Sequence, residues 1–293
     1  MESWVSIHTA LAPTKFVQRG WLVLHHPPTV CSLELLARLT QTELKITNAS
    51  PGLTALPQLG QLVMLRELTL SGCGELLHLP ESLGRLEVLQ VLEIESCPAL
   101  LALPESFGDL AALDNLNINN CGALTSLPNT LRGLKKLEKI TIHNCAAFAS
   151  LPETTGELTA LADLQIVFCG LTCLPDSVGE LTALRILDLH GCGKLACLPE
   201  TLDQLVNLKW IMVSLTNLSR QKISGLVQNS CQRKNDIIIA KHCGNITMFA
   251  HNYLPSLLVM VLCMQRRHKR QPKLPNKILL LVRAVLRSLS VEI

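Results

Sequence analysis

Twelve cysteines and nine histidines are the side chains of this 293-residue chain best suited to hold a metal or act as nucleophiles. Six of the cysteines, Cys73, Cys97, Cys121, Cys145, Cys169 and Cys192, recur at spacings of 24, 24, 24, 24 and 23 residues. A zinc site or a dithiol redox centre needs tighter grouping, such as a C-x-x-C pair with a second pair or a histidine beside it. No C-x-x-C occurs, and the nearest pairs, Cys169/Cys173 and Cys192/Cys197, are irregularly spaced and lack a cluster of histidines. The regular six read instead as structural: a small side chain turned inward that can hydrogen-bond loop backbone, Cys being a weak donor that packs like a small hydrophobe. His143 and His190 fall two periods apart, and Asp188 lies two residues from His190. A lone Asp/His pair is not a catalytic constellation. The phosphate-loop, nucleophile-elbow, zinc-protease and kinase motifs are all missing. The expectation is a protein that is not an enzyme and needs no metal or cofactor.

The elements that carry these residues come from the same period. Leu-Pro recurs with its proline at Pro57, Pro80, Pro104, Pro128, Pro152, Pro175 and Pro199, at spacings of 23, 24, 24, 24, 23 and 24. Written from Leu86, one unit is LEVLQVLEIESCPALLALPESFGDL, or LxxLxxLxLxxCxxLxxLPxxxGxL. Leucine accounts for 61 residues, so the 48% hydrophobic content reflects one residue type at repeated packing positions; only 3% of residues are aromatic. The two shorter spacings come from deletions in turns: CGLTCLP against CGKLACLP, and PQLG against PESLG. Neither touches a strand, where a one-residue slip would turn every side chain to the opposite face.

Within a unit, Leu92-Glu93-Ile94 alternates as a strand with one buried face. The stretch from Pro80 carries Leu83, Leu86 and Leu89 at helix-compatible spacing, with Pro suited to a first turn. One strand and one short turn bury no core alone; stacked copies do. Eight strands are expected, centred near Lys45, Thr69, Glu93, Asn117, Thr141, Gln165, Asp188 and Met212. These units resemble leucine-rich repeats, over roughly Leu39 to Leu218. The resemblance implies an α/β solenoid: a curved parallel sheet of about eight 23–24-residue repeats with short helical or 3₁₀ turns on the convex side. At the ends of the cysteine ladder the position falls on Ala49 or Ser50 and on Thr216.

Residues flanking the strand leucines project from the concave surface in rows: Glu43/Lys45/Thr47, Glu67/Thr69/Ser71, Val91/Glu93/Glu95, Asn115/Asn117/Asn119, Lys139/Thr141/His143, Asp163/Gln165/Val167, Ile186/Asp188/His190 and Trp210/Met212/Ser214. None is leucine. Eight strands about 4.8 Å apart give a face on the order of 35 Å long, near one partner's share of a standard interface. The candidate partner-binding residues are Glu67, Glu93, Glu95, Asn117, Asn119, Lys139, His143, Asp163, Gln165, Asp188, His190 and Trp210. The early rows are acidic and the fourth is all asparagine. Trp210 and Met212 are residue types found at binding anchors, unless the segment that follows covers them.

Charge divides the chain. Residues 1–217 hold 13 Lys and Arg against 21 Asp and Glu, a net −8, while residues 218–293 hold 13 against two, a net +11. The overall +3 conceals this. The expected organisation is an N-terminal segment and cap (1–38) without a repeat, repeats (39–217), a C-terminal cap (218–242) and a basic, partly apolar tail (243–293). Cys31 to Leu39 has helical spacing; residues 219–239 read as helix, charged turn and a short strand Ile237 to Ile239. The tail could contact an acidic partner, nucleic acid or anionic lipid, serve as a nuclear address, fold back on the repeats, or be an extension with no selected role. Its apolar run Leu254 to Met264, 11 residues containing Pro255, is short of a membrane span. No secretory leader is evident, so the cysteines are expected to be reduced thiols in cytosol or nucleus, and the sequons at Asn48, Asn217 and Asn245 to be chance matches.

A non-enzymatic protein-recognition module follows. The pairing of LxxC with LPxxxGxL, as in LNINNCGALTSLP and PDSVGELTAL, looks like the intracellular repeats of plant disease-resistance receptors, and the turn is shared with Ras-group repeat scaffolds. No nucleotide-binding motif accompanies it, so the receptors' switching activity is not implied. The alternatives are a substrate-recognition subunit of a ubiquitin ligase, whose repeats also use Cys at the ladder, and a membrane-associated scaffold held by the tail.

Overall fold

The computed structural model describes residues 5–6, 21–24, 42–47, 54–56, 59–218 and 238–240. The chain divides into two compact units, 1–239 and 240–293, and the repeats lie wholly in the first. Its strands are β1 (Val5–Ser6), β2 (Trp21–Leu24), β3 (Glu43–Thr47), β4 (Glu67–Ser71), β5 (Val91–Glu95), β6 (Asn115–Asn119), β7 (Lys139–His143), β8 (Asp163–Val167), β9 (Ile186–Asp188), β10 (Trp210–Met212) and β11 (Ile238–Ala240). Spatial order follows chain order from β1 to β11, and the pairings from β1 to β10 are parallel. The eight expected strands are β3 to β10, in one open, curved sheet backed by 3₁₀ turns.

The register is that of the repeat. Leu92 pairs with Leu116 and Ile94 with Ile118, and these side chains are fully or almost fully buried. After each strand come the ladder cysteine, then Leu76, Leu100, Leu124, Phe148, Leu171 or Leu195, all with no exposed surface. Each such side chain contributes roughly 1.5–3 kcal/mol relative to exposure, and its contacts come from copies of itself one strand away. Where the pattern lapses at Thr155, which is wholly buried, the hydroxyl donates to the Pro152 carbonyl at 2.6 Å.

Among the described residues the proline stretches form six 3₁₀ turns: Glu81–Arg85, Glu105–Asp109, Asn129–Gly133, Glu153–Glu157, Asp176–Glu180 and Glu200–Gln204. Each proline is the N-cap, with φ between −72 and −66°, an angle its ring holds before folding. In five of the six a glycine inside the turn lets one turn rest on its neighbour: a Cβ on Gly108 would stand 2.2 Å from the Thr130 carbonyl oxygen.

Between strand and ladder cysteine the chain turns through a residue with positive φ. These are Gly72, Ser96, Asn120, Asn144, Phe168, Gly191 and Leu215, at 53 to 73°. The turn swings the following side chain inward. Gly and Asn suit it, whereas a bulky side chain there costs on the order of 1–3 kcal/mol.

Three expectations differ from what is found. Residues 1–38 were expected to carry no repeat strand, yet β2 pairs with β3, Leu22 opposite Leu44 and Leu24 opposite Ile46. The Leu-x-Leu signature is present there at a spacing of 22 without the cysteine or Leu-Pro that marks later units. The rows through His190 and Ser214 were expected to be strand throughout, but β9 stops at Asp188 and β10 at Met212. Asp188 Oδ1 accepts the His190 N–H at 2.9 Å, so a side chain instead of the neighbouring strand takes that amide and the strand closes early. The C-terminal strand is Ile238–Ala240, one residue later than read from the sequence. The helical stretch at Cys31 to Leu39, the helix and charged turn after residue 218, and the basic tail lie outside the described residues.

Gly108→Ala should lower stability by roughly 1–3 kcal/mol, the usual range for forced overpacking, in a urea unfolding curve. Gly122→Ala, where an added Cβ meets nothing within 4 Å, should stay within about 0.5 kcal/mol. Equal effects would mean that turn-to-turn contact does not set the glycine.

Candidate functional site

With the inward residues committed to the core, the chemistry left to the sheet is on its outward rows. Successive strands place equivalent residues side by side, so the first row runs Glu43, Glu67, Val91, Asn115, Lys139, Asp163, Ile186, Trp210. Three groupings follow along it.

At the N-terminal end Glu43 stands opposite Glu67, and Thr69 opposite Glu93. Burial, then the charges of Glu43, Glu93 and Asp114, hold the Glu67 carboxyl above its ordinary range. Thr69 Oγ1 donates to Glu93 Oε2 at 3.4 Å, and Glu95 is exposed beyond. This end carries Glu43, Glu67, Glu93 and Glu95 against Lys45, and among the described residues none of these carboxylates makes an ion pair.

In the middle, side chains fix one another. Asn119 Nδ2 donates to Asn117 Oδ1 at 3.1 Å. Asp163 takes the Lys139 ammonium at 3.5 Å and both of its carboxylate oxygens accept Gln165 Nε2 at 3.0 Å. Thr141 between them is buried. Burial lowers the proton affinity of His143, and Lys139 adds to this, against Gln165 and Asp163 acting the other way. His143 Nε2 is buried with no hydrogen-bond partner.

At the C-terminal end Asp188 is only 6% exposed, and burial pushes its carboxyl up to about 6 from an ordinary 3.8. The His190 ring shares a 2.8 Å hydrogen bond with Ser214 through Nδ1. Asp188 therefore touches the backbone of His190 while Ser214 touches its ring, so the three do not form a Ser-His-Asp relay. His190 and His143 stay apart, one strand lying between their repeats. Trp210 and Met212 are half-buried at the last strand.

Two residues here were missed from the sequence. Phe168 and Leu215 occupy the positive-φ turn yet are 46% and 55% exposed. The Phe168 ring meets His190 edge-on, centroids 5.0 Å apart, in space kept free by Gly191, whose added Cβ would lie 2.3 Å from Phe168 Cδ1. The sequence did hold a signal. The residue before each cysteine runs Gly, Ser, Asn, Asn, Phe, Gly, and phenylalanine is out of place in that company.

The ladder cysteines face away from this surface. Cys97, Cys121, Cys145 and Cys169 donate to the carbonyls of Glu95, Asn119, His143 and Val167 at 3.3–3.5 Å. Cys192 donates to Ile166 at 3.1 Å. Contact with the next thiol, then burial, pushes Cys97 and Cys121 up to about 12, and burial pushes Cys192 up to about 11. Such thiols stay protonated near neutral pH and are poor nucleophiles. Thr216 takes the position over in the last repeat, its hydroxyl donating to Val213 at 2.7 Å. Among the described residues no three His, Cys, Asp or Glu side chains gather as a metal site.

Comparison with known proteins gives the same fold. The family model of the leucine-rich repeat region matches residues 42–172. The leucine-rich repeat domain of the type III effector XopL is 26% identical, with a TM-score of 0.60 over 75% of this chain and 75% of that one. In the Drosophila Toll–Spatzle complex, a chain 21% identical superposes with a TM-score of 0.56, covering 71% of this chain and 28% of that chain; that likeness is one of fold alone. No curated protein sequence matches the chain.

Asp188 gives a pH signature. Its raised carboxyl keeps a proton in the folded chain where the unfolded chain has lost it, so stability falls between about pH 4 and pH 6 by ~3 kcal/mol and stays lost above. His143 and His190, whose proton affinity is lowered, act oppositely in wild type and variant alike. Asp188→Asn should therefore gain on wild type by about 3 kcal/mol between pH 4 and pH 7 in urea titrations. A difference independent of pH would contradict the burial of that carboxyl.

Proposed function

We propose that this leucine-rich repeat protein acts by binding another protein across the outward face of β3 to β10, with no chemistry of its own. The observation that carries the reading is the division of labour between the two faces of each strand. Inward residues are buried hydrophobics, while the outward ones are mostly polar or charged, with apolar Val91, Val167, Ile186, Trp210 and Met212 among them, and in the middle rows they hold one another, as in Asn117–Asn119 and Lys139–Asp163–Gln165. Side chains ordered before binding lose less entropy when a partner arrives. The excess of carboxylates at one end, which make no ion pair among the described residues, gives the face polarity, which suits a partner with a basic patch and fixes its orientation. Leucine-rich repeats generally serve as interaction modules, which agrees with this use of the sheet.

The setting we favour is intracellular recognition of the defence or signalling type. Its support is the LxxC and LPxxxGxL combination, as in LNINNCGALTSLP, which looks like the repeats of disease-resistance receptors. Fold says little about ligand, so partner capture is the deciding experiment. Recovery of immune-receptor components supports this setting; recovery of ubiquitin-ligase core subunits assigns the protein to substrate selection instead.

With a captured partner in hand, Glu93→Lys combined with Glu95→Lys should weaken binding about tenfold or more, the equivalent of roughly 1.4 kcal/mol, with an unchanged thermal melt. Glu87→Lys with Glu180→Lys, both exposed outside the strands, should leave affinity within twofold. Unchanged binding by the first pair would move the interface off the acidic rows.

A further inference from the structure

Two cysteines stand outside the buried ladder. Cys173 is exposed and Cys197 half-exposed, both as free thiols. Each lies two residues before the proline of its repeat, in LTCLP and LACLP, so they are equivalent positions in consecutive units. The short segment holding them crosses from the ladder turn to the 3₁₀ turn, and neighbouring copies of it pair. In earlier repeats the same position is an explicit parallel bridge: Ala55 opposite His78, and His78 opposite Ala102. The hydrogen bond that sets this register, from the residue three before one proline to its predecessor in the previous unit, is Leu77 N–H to Thr54 at 2.9 Å. It recurs as Ala196 N–H to Thr172 at 3.3 Å. Cys173 and Cys197 are therefore neighbours in the stack. Of their predecessors, Ala55, His78, Ala102 and Ser150 are exposed and Ser126 is half-buried, so this row looks outward.

We propose that Cys173 and Cys197 form an accessible inter-repeat dithiol that closes to a disulfide, a staple between the last two Leu-Pro turns. Paired backbones place their Cα atoms about 4.8 Å apart, inside the range of roughly 4.4–6.8 Å that disulfides span. The Cβ atoms of flat parallel neighbours lie farther apart than a relaxed disulfide prefers, so closure draws the two segments together and leaves a bond that is readily reduced. With glutathione disulfide as oxidant, one protein thiolate attacks a glutathione sulfur, forming a mixed disulfide and releasing one glutathione thiolate. The second protein thiolate attacks the protein sulfur of that mixed disulfide and releases the other. Two electrons pass from the dithiol to the glutathione pair, and the two protons leave with the two glutathiones formed.

The competing partners are disfavoured by placement. Cys169 and Cys192, nearer in sequence, are buried and hydrogen-bonded to backbone carbonyls. Their thiols point into the core.

The test is disulfide mapping by mass spectrometry of the full, folded chain after exposure to glutathione disulfide. A peptide pair joined through Cys173 and Cys197, reversed by dithiothreitol, is the expected product. Cys173→Ser should abolish that species and leave glutathione on Cys197. Separate glutathione adducts on both cysteines of the wild-type chain, or joining of either to Cys169, Cys192 or a cysteine outside the repeats, would overturn the proposal. Phenylarsine oxide gives an independent reading: it should protect both thiols from alkylation in the wild type and neither remaining thiol in Cys173→Ser or Cys197→Ser, and a failure to protect the wild-type pair counts equally against it.

Discussion

Every repeat buries its core only against the copy before and the copy after it, and that constraint governs the rest of the molecule. A side chain facing inward must fit the same space as its equivalent one strand away, at about 4.8 Å. One solution therefore propagates along the chain, and here it is leucine on most rungs and cysteine on one. The same requirement selects glycine in the 3₁₀ turn, where Gly108 lies against the Thr130 carbonyl. It also selects a positive-φ residue before each ladder cysteine, because only that turn brings the thiol inward toward backbone carbonyls such as that of His143. Cysteine then serves as a small buried side chain, its proton held and its reactivity suppressed.

Meeting the stacking requirement with inward residues leaves the outward ones free to vary. The rows change from carboxylates to asparagines to a mixed end with Trp210, while the inward strand positions behind them stay aliphatic, as Leu, Ile or Val. Variation is not without structural consequence. At the C-terminal end Asp188 captures the His190 amide and ends β9 early. Phe168 and Leu215 occupy turns that cost them backbone energy while their side chains remain exposed. Strained, exposed apolar residues beside a shortened strand are the kind of local departure that recognition can exploit, and they adjoin the face already proposed to bind.

Much of this was legible in the sequence because a repeat is read many times over. Seven Leu-Pro dipeptides and six spaced cysteines give the unit length, the strand at Leu92-Glu93-Ile94, the turn after Pro80 and the outward rows. What escaped notice is what occurs once. Strand β2 carries the leucine alternation without the other marks, so Trp21–Leu24 did not register as a repeat. The contact between Phe168 and His190 depends on a ring crossing to the next unit over Gly191, which no one-dimensional spacing records. The internal pairing of Lys139, Asp163 and Gln165 was likewise invisible, since periodicity tells which face a residue occupies and not which rotamer it adopts. Cys173 and Cys197 are in phase with the Leu-Pro dipeptides, two residues before Pro175 and Pro199, but out of phase with the ladder cysteines, four residues after Cys169 and five after Cys192.

The central claim is that folding and recognition are assigned to opposite faces of the same strands. Saturation substitution of β4 to β8, read out by resistance of the folded chain to proteolysis, tests it most directly. The account predicts a period of two: polar replacements at Leu68, Leu70, Leu92, Ile94, Leu116, Ile118, Ile140, Ile142, Leu164 and Ile166 unfold the chain, and those at the intervening positions are tolerated, with buried Thr141 the exception. Equal sensitivity on both faces would contradict it, for the outward rows would then be part of what holds the solenoid together.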